Sequence, residues 1–480
     1  MSNNLLVISD LHLGEGLREG GACATDPRTD AALIAFLEHY TANRADGRAW
    51  RLIVNGDAID FIAVHLMPSD VGVVHGLHAD DHHYGLGTRE HAAAAKLERV
   101  LVQHAGVFRA MAAFVAHGNE IAMVRGNHDA ELYWPEVQAR LRDALGRAWA
   151  EDPRCGTPGT RAVAAVRDAV SFHDWFVYEP GLAWIEHGHQ YDPYCSFDHV
   201  LEPVGRSNDI EINIGAAIMR YVANRFAGDV KDHWGRGFWG YLNWTAAQGA
   251  GRALGVVDGY RAMCARLIQN RLMHWWDPSR MVARGERHRE SLRALASRAR
   301  ITLDTLDALH ELRTPPIVGD LSRLVRAVML DRLAVLLLSP WVLALPLLGL
   351  PWAWWPVALL VGGAAVIVAA WWAAADRENV DPRGAMRAVS RRIRRLAAVP
   401  VVVFGHSHDP VAEESDGGWY FNTGTWVPHG VEGGLVRAFT HVVVRRTEQG
   451  VQAALCRWTG DSSERLVPVL ARAAGGLIRP

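Results

Sequence analysis

Lysine is almost missing from this chain. It occurs only at Lys96 and Lys231, so nearly all positive charge is arginine. Basic and acidic residues nearly cancel, 50 against 52, and a formal net charge of −2 gives no global case for nucleic-acid binding. Cysteine is scarce as well. Cys23, Cys155, Cys195, Cys264 and Cys456 are odd in number and contain no Cys-x-x-Cys pair, which argues against a disulfide scaffold and fits a reducing cytoplasm. The first apolar run is short, has no preceding Lys or Arg, and reads as a strand rather than a signal peptide. No internal repeat or long low-complexity linker breaks the 480 residues, a length that exceeds one usual domain.

A further absence is local. From Leu333 to Ala375 there is no Asp, Glu, Lys or Arg, and Trp341, Trp352, Trp354, Trp355, Trp371 and Trp372 punctuate the run. Each half approaches the roughly 20 residues needed to cross a bilayer, with Gly349 to Pro356 as the turn of a helical hairpin. Arg323, Arg326 and Arg332 precede the run; Arg377, Arg383, Arg387, Arg391, Arg392, Arg394 and Arg395 follow it; the turn has no basic residue. The positive-inside rule therefore predicts both ends in the cytoplasm, at the inner membrane. Competing readings are an apolar helical pair buried in a soluble core or oligomer interface and, given Pro340, Pro346, Pro351 and Pro356, a shallow re-entrant hairpin.

Against this background, polar fragments recur at strand ends. Asp10-Leu11-His12, Gly56-Asp57, Gly126-Asn127-His128-Asp129 and Gly405-His406-Ser407-His408 each follow a run that reads as a buried strand: Leu5 to Ser9, Leu52 to Asn55, Ile121 to Arg125 and Val401 to Phe404. Successive strands would deliver oxygen and imidazole ligands to one edge of a sheet, where open α/β folds place their sites. Asp, Asn and His without a thiolate suit manganese, iron or zinc rather than a closed structural zinc. Each fragment alone has a plainer reading. Asp10 and Asp57 can cap a turn, Asn127 can be a turn residue, and His406 and His408 can simply share one face of an extended segment. Their joint occurrence in order outweighs those separate readings.

With His187-Gly188 as a further fragment, the series resembles the calcineurin-like metallophosphoesterase superfamily. Its pattern is a DxH, a GDxxD, a GNHD, a His followed by Gly, and a GHxH; here these are Asp10/His12, Asp57 with Asp60, Asn127 to Asp129, His187-Gly188, and His406/His408. Phe421-Asn422-Thr423-Gly424-Thr425 is similar to the strand and turn that follow the last pair, so the resemblance covers about residues 1 to 195 and 395 to 445. It implies an α/β fold, a metallophosphoesterase β-sandwich flanked by helices, and two divalent metal ions, manganese first, with iron or zinc as alternatives. By resemblance, Asp10, His12, Asp57 and His408 hold one ion, and Asp57, Asn127, His187 and His406 hold the other, with one Asp57 oxygen for each. His128 is implied to stabilise the transferring phosphoryl group and assist the leaving oxygen, with Asp129 orienting it. Many members carry an acidic residue where His189 stands, and whether His189 meets metal, substrate or neither is left open.

The expected division is a metallophosphoesterase core at 1–196, a helical insertion or cap at 197–320, a membrane hairpin at 321–376 and the rest of the core at 377–480. Ala216 to Phe226, Tyr260 to Trp276 and Glu286 to Ala299 are helical by pattern, as are stretches within Arg28 to Asn43, Ala92 to Ala116 and Glu136 to Ala150, and Pro153 to Gly159 reads as a loop. Trp234, Phe238, Trp239, Tyr241 and Trp244 either lie on lipid or fill the insertion's own core. His65, His75, His78, His82, His83 and His91 are irregularly spaced, which favours a solvated or substrate-facing loop over a third metal site. Arg391 to Arg395 read either as attracting anionic lipid heads or an acidic substrate, or as a topology signal. The function expected is a cytoplasm-facing, membrane-anchored two-metal phosphoesterase acting on a phosphomonoester, phosphodiester or pyrophosphate, with membrane lipid as a partner and the substrate either lipid-linked or soluble. The alternatives are a tethered phosphatase or nucleotide phosphodiesterase for soluble substrates, and a non-catalytic, metal-bound interaction module.

Overall fold

A computed structural model of the chain describes residues 3–18, 26–73, 75–152, 159–205, 208–225, 238–374, 381–428 and 438–466. Cys23, Cys155, Phe226, Lys231, Trp234, Ala375, Arg377 and most of the Pro153 to Gly159 loop lie outside the described residues. The chain divides into two compact units, one of Met1–Ile212, Ser279–Thr314 and Pro382–Pro480, the other of Asn213–Pro278 and Pro315–Asp381.

The first unit is mixed α/β with two mixed sheets. Strands β1 (Asn4–Ile8), β2 (Trp50–Asn55), β3 (Glu120–Val124) and β4 (Val170–His173) pair in parallel as neighbours. The second sheet holds β5 (Phe176–Glu179), β6 (Ala183–Glu186), β7 (Val401–Phe404), β8 (Val411–Ser415) and β9 (Gly418–Asn422), in the order β5-β6-β7-β9-β8. Strands β10 (Thr440–Thr447), β11 (Gly450–Trp458) and β12 (Ser463–Arg465) return to the first sheet and extend it on the β1 side, antiparallel to one another.

Alternation along the strands explains the layers. Leu6 and Ile8 of β1, Leu52 and Val54 of β2, and Ile121 and Met123 of β3 face one core, shared with Leu33, Phe36, Leu97, Phe114 and Leu141 from helices. Their neighbours Leu5, Val7, Ile53, Ala122 and Val124 face the opposite way and meet Ile185, Val401, Val403 and Phe421 of the second sheet. The far side of that sheet, through Trp184, Val402 and Phe404, is covered by Leu292, Leu306, Met386 and Ile393. Two sheets therefore pack face to face with helices outside each. Burial on both faces is why these strands read as continuous apolar runs.

Two sequence expectations change. Residues 279–314, read as part of the 197–320 insertion, belong to the first unit, because Leu292, Ala296, Leu306 and Leu309 form an apolar stripe that buries against the second sheet. The helix expected over Ala92 to Ala116 is two helices, Glu90–Gln103 and Ala105–Ala116, separated at His104. That residue is buried, with Nε2 accepting the Gly14 N–H at 2.9 Å and Nδ1 2.8 Å from Asp30 Oδ1. Long-range pairing thus overrides local helix propensity.

The second unit is helical. Leu330–Gly349 and Trp352–Ala373 are long and apolar enough to cross a membrane, by length and composition. They pack on each other where Gly362 lets the helices close: a Cβ there would lie 3.4 Å from the Val342 carbonyl. Arg332 Nε donates to the Ala373 carbonyl at 2.9 Å, and the Arg326 guanidinium lies 4.5 Å from the Trp372 ring centre. Arg332 thus binds one helix to the other at the open end of the pair, and Arg326 reaches the second helix from the preceding helix Leu321–Ala327.

Candidate metal centre

The carboxyl ends of β1, β2, β3, β6 and β7 collect the candidate residues. Main-chain bonds splice their loops together. The Asp10 N–H donates to the Gly56 carbonyl, those of Leu11 and His12 donate to the Asp57 carbonyl, and that of Gly405 donates to the His187 carbonyl, all at 2.9 to 3.1 Å. The splicing imposes an unusual backbone: Asp10, His12, Asp57, His406 and His408 all have positive φ, between 46° and 66°. A left-handed conformation costs a residue bearing Cβ about 1–2 kcal/mol. Such concentrated strain persists only where surrounding contacts over-determine it, as at functional sites. Gly56, with φ 83°, admits no side chain, since a Cβ would overlap the His187 ring.

Asp10, His12 and His408 each bring a ligand atom within 4.8 Å of the others, and so do Asp57, His187 and His406. In the first group His408 Nε2 lies 3.1 Å from Asp10 Oδ1 and 3.2 Å from His12 Nε2. In the second, His187 Nε2 lies 3.2 Å from Asp57 Oδ2 and 3.2 Å from Asn127 Oδ1. The groups meet at Asp57, whose Oδ2 is also 3.9 Å from His12 Nε2. The expectation of one Asp57 oxygen for each ion is corrected here. Oδ2 faces both groups, while Oδ1 accepts the His128 backbone N–H at 2.8 Å. Asp10 is divided similarly: Oδ2 accepts the Ser9 hydroxyl and the His406 backbone N–H, whereas buried Oδ1 faces His408 Nε2. Buried carboxylate oxygens among converging imidazole nitrogens are a donor set that fits divalent cations.

The assignment of Asp129 also changes. Its carboxylate accepts the backbone N–H groups of Gly126, at 2.6 Å, and Ala58, at 2.8 Å, so it braces two loops and does not touch the His128 ring. Asp60 touches it instead, with Oδ1 2.9 Å from His128 Nδ1 and Oδ2 3.1 Å from His12 Nδ1. By holding Nδ1 of both rings, Asp60 fixes their orientation and presents Nε2 of His12 to the first group. The spacing Asp57-x-x-Asp60 was visible in the sequence, but its partners were not.

Charge explains why these groups stay together. Burial alone would neutralise the carboxylates, yet the imidazoles hold Asp10, Asp57 and Asp60 below the ordinary range. Burial likewise disfavours imidazolium, but Asp60 and Asp57 hold His128 up to about 10, and Asp57 with Asp10 holds His187 up to about 9. The protonated imidazoles supply the positive charge that buried carboxylates require, and a cation bound there must displace protons from its His ligands. Asp129 is pushed up to about 6 by burial and by Asp57, which outweigh the Gly126 N–H and the His187 imidazole.

Residues with no distinct sequence signal complete the surroundings. Asp192 Oδ2 lies 3.0 Å from His406 Nε2, and Asp192, Cys195 and His406 form another close group. Glu186, raised to about 7 by burial, accepts from the Tyr191 hydroxyl and, at 2.6 Å, from Trp175 Nε1, fixing the strand end before His187. His189 is buried, and burial together with His187 and His406 holds its pKa well below the ordinary value, so it is neutral. In the His65 to His91 loop no metal-ligating group forms among the described residues, and His78 is instead 2.9 Å from Asp209. The arginines expected to attract lipid or substrate are largely engaged within the unit. On helix Pro382–Ala397, Arg387 and Arg391 pair with Glu413 and Arg395 with Asp416, while buried Arg394 donates to the Ser415 carbonyl. Compared with protein-family models, curated proteins and solved structures, the chain matches none.

Proposed function

We propose that this chain is a membrane-anchored, two-metal phosphoesterase of the metallophosphoesterase type. The observation that carries the reading is the meeting of two ligand groups at a single Asp57 oxygen, 3.2 Å from His187 Nε2 and 3.9 Å from His12 Nε2. Asp10, His12, Asp57 and His408 would hold one cation, and Asp57, Asn127, His187 and His406 the other. When bound, such a pair lowers the pKa of a shared water and neutralises charge on a phosphoryl group. Manganese suits this nitrogen and oxygen donor set, as do iron and zinc.

The chain's own residues then have distinct tasks. Asp57 supplies a negative charge common to both positions, which an amide could not. Asp60 keeps His12 and His128 oriented through their Nδ1 atoms. His128, hydrogen-bonded to Asp60 through Nδ1 and with 23 % of its side chain accessible, can stabilise phosphoryl charge and give a proton to the departing oxygen. Asp129 holds the loop that carries both Asn127 and His128.

The apolar pair Leu330–Gly349 and Trp352–Ala373 supports anchoring, and arginines on both flanks support a cytoplasmic metal face. Anchoring favours a lipid-linked phosphoester, whose tails would add binding. Purified full-length protein loaded with Mn²⁺ should contain two ions per chain and hydrolyse p-nitrophenyl phosphate, its bis-ester or a lipid pyrophosphate, with loss on chelation. Two bound ions with no hydrolysis across that panel would instead identify a non-catalytic module.

A further inference from the structure

Asp192, Cys195 and His406 differ from the two ligand groups in one respect: they include sulfur. Each brings a ligand atom within 4.8 Å of the others, and only His406 is common to them and to the group of Asp57 and His187. The turn after Tyr191 assembles the trio. Cys195 and Ser196 donate their backbone N–H groups to the Asp192 carbonyl at 3.0 and 2.8 Å, and the Tyr194 N–H donates to Asp192 Oδ1 at 2.9 Å. Asp192 Oδ2 then faces His406 Nε2 at 3.0 Å, and the Cys195 thiol is hydrogen-bonded to the same carboxylate.

The three side chains are not sealed from solvent. Asp192 and His406 keep 13 and 9 % of their side-chain surface accessible, and Cys195 is half-buried, so an ion can reach them. Zinc holds nitrogen, oxygen and sulfur donors at about 2.0–2.3 Å, and three donors this close need only a small closure to share one ion, with a fourth position left open. The sulfur sets the preference. A thiolate selects zinc or another thiophilic ion, whereas the nitrogen and oxygen donors of the other two groups also suit manganese and iron.

Sharing His406 couples this trio to the second group. Two dications that meet at one residue repel each other, and an ion that draws His406 towards Asp192 takes it from Asp57 and His187. We propose that Asp192, Cys195 and His406 form a third cation position, selective for a thiophilic divalent ion, whose occupation weakens binding of the second catalytic ion; this rests on the two-metal reading above. The third position is then an inhibitory site. By linkage, a filled second position in turn weakens the third.

Cobalt is the probe, as a coloured stand-in for zinc. Full-length protein loaded with Mn²⁺, a poor partner for thiolates, is titrated with Co²⁺. Wild type should develop the near-ultraviolet absorption of a thiolate–Co²⁺ bond; Cys195→Ser should not, while keeping two Mn²⁺ and its basal turnover. No such absorption in wild type, which needs no variant to fold, or the same absorption in Cys195→Ser would overturn the third position. Asp192→Asn keeps the thiol and should develop the absorption only at higher Co²⁺, and an unchanged titration there would overturn the proposed ligand set. The coupling is read from free Mn²⁺ by electron paramagnetic resonance. As the absorption grows, wild type should bind its second Mn²⁺ about tenfold more weakly, with turnover falling at limiting Mn²⁺, and Cys195→Ser should hold both. Equal losses in wild type and Cys195→Ser would overturn the sharing of His406. The two readings can fail separately: the absorption without cleavage of any phosphoester would leave the third position standing and remove the phosphoesterase, and cleavage without the absorption would do the reverse.

Discussion

Asp10, Asp57 and Asp60 are carboxylates with 0 to 1 % of their surface exposed, whereas Leu348, Trp352 and Leu360 are apolar side chains with 85, 80 and 75 % exposed. Both regions invert the ordinary placement of polar and apolar groups. The difference lies in what completes each. In the candidate metal centre the buried charge is balanced by imidazoles within 4 Å, at the cost of left-handed backbone. In the helical pair the apolar side chains are left exposed, and apolar surface of this extent marks an interaction face, on two helices long and apolar enough to cross a membrane. One region is built by precise polar pairing, the other by length and composition, and they should respond differently to change.

The largest expected effect is at the shared carboxylate. Asp57→Asn should remove the common charge, bring metal content below two and reduce turnover by about 10²- to 10³-fold or more. Two ions and wild-type turnover in that variant, measured by metal analysis and kinetics, would remove the basis for joining the two groups. The matching change in the other region is replacement of residues 330–374 by a short polar linker. The intact chain should remain in the membrane pellet through an alkaline wash, and the variant should become soluble while retaining both ions. Release of the intact chain by salt alone would show surface attachment through charge instead.

A smaller effect separates the two acidic neighbours of the ligands. Asp60→Asn should retain most metal yet slow turnover about 10- to 100-fold, through misoriented His12 and His128. Asp129→Asn should chiefly lower thermal stability, because it braces backbone. Equal kinetic losses with unchanged stability in both would return Asp129 to a role at His128.

Proton linkage gives a further test within the metal centre. His187 and His128 have raised pKa values, so their contribution to stability without metal is complete below about 6.5 and fades as pH rises through about 9 and 10. Asp60 is lowered, so its contribution is present above about 3.9 and is lost as pH falls through its folded value. Calorimetry of metal-free protein should therefore find these contributions largest between about pH 4 and 6.5. Metal affinity should run the other way, rising with pH toward about 9 with measurable proton release. Affinity independent of pH between 6.5 and 9 would contradict His ligation.

The smallest effect is expected on helix Pro382–Ala397. Arg387→Gln or Arg395→Gln breaks a partly exposed pair and should change stability by about 0.2–1 kcal/mol each, with little change in binding to anionic vesicles. A strong loss of vesicle binding would mean that these arginines face lipid despite their acidic partners.

The sequence by itself determined the strands and where the polar fragments leave them. Leu5 to Ser9 or Val401 to Phe404 are apolar runs ended by Asp, His and Gly, and short-range hydrophobic and turn chemistry suffices to read them. The apolar pair was equally legible, since length and lack of charge are properties of a local segment. Tertiary structure alone decided the partners. His12 meets His408 across 396 positions, Asp192 meets His406 across 214, and Asp60 rather than Asp129 reaches the His128 ring. It also broke a helix at His104, sent 279–314 to the second sheet and paired arginines with Glu413 and Asp416. The physical reason is range: periodicity and backbone propensity act over a few residues, whereas hydrogen bonds and ion pairs depend on which distant segments the buried core brings together.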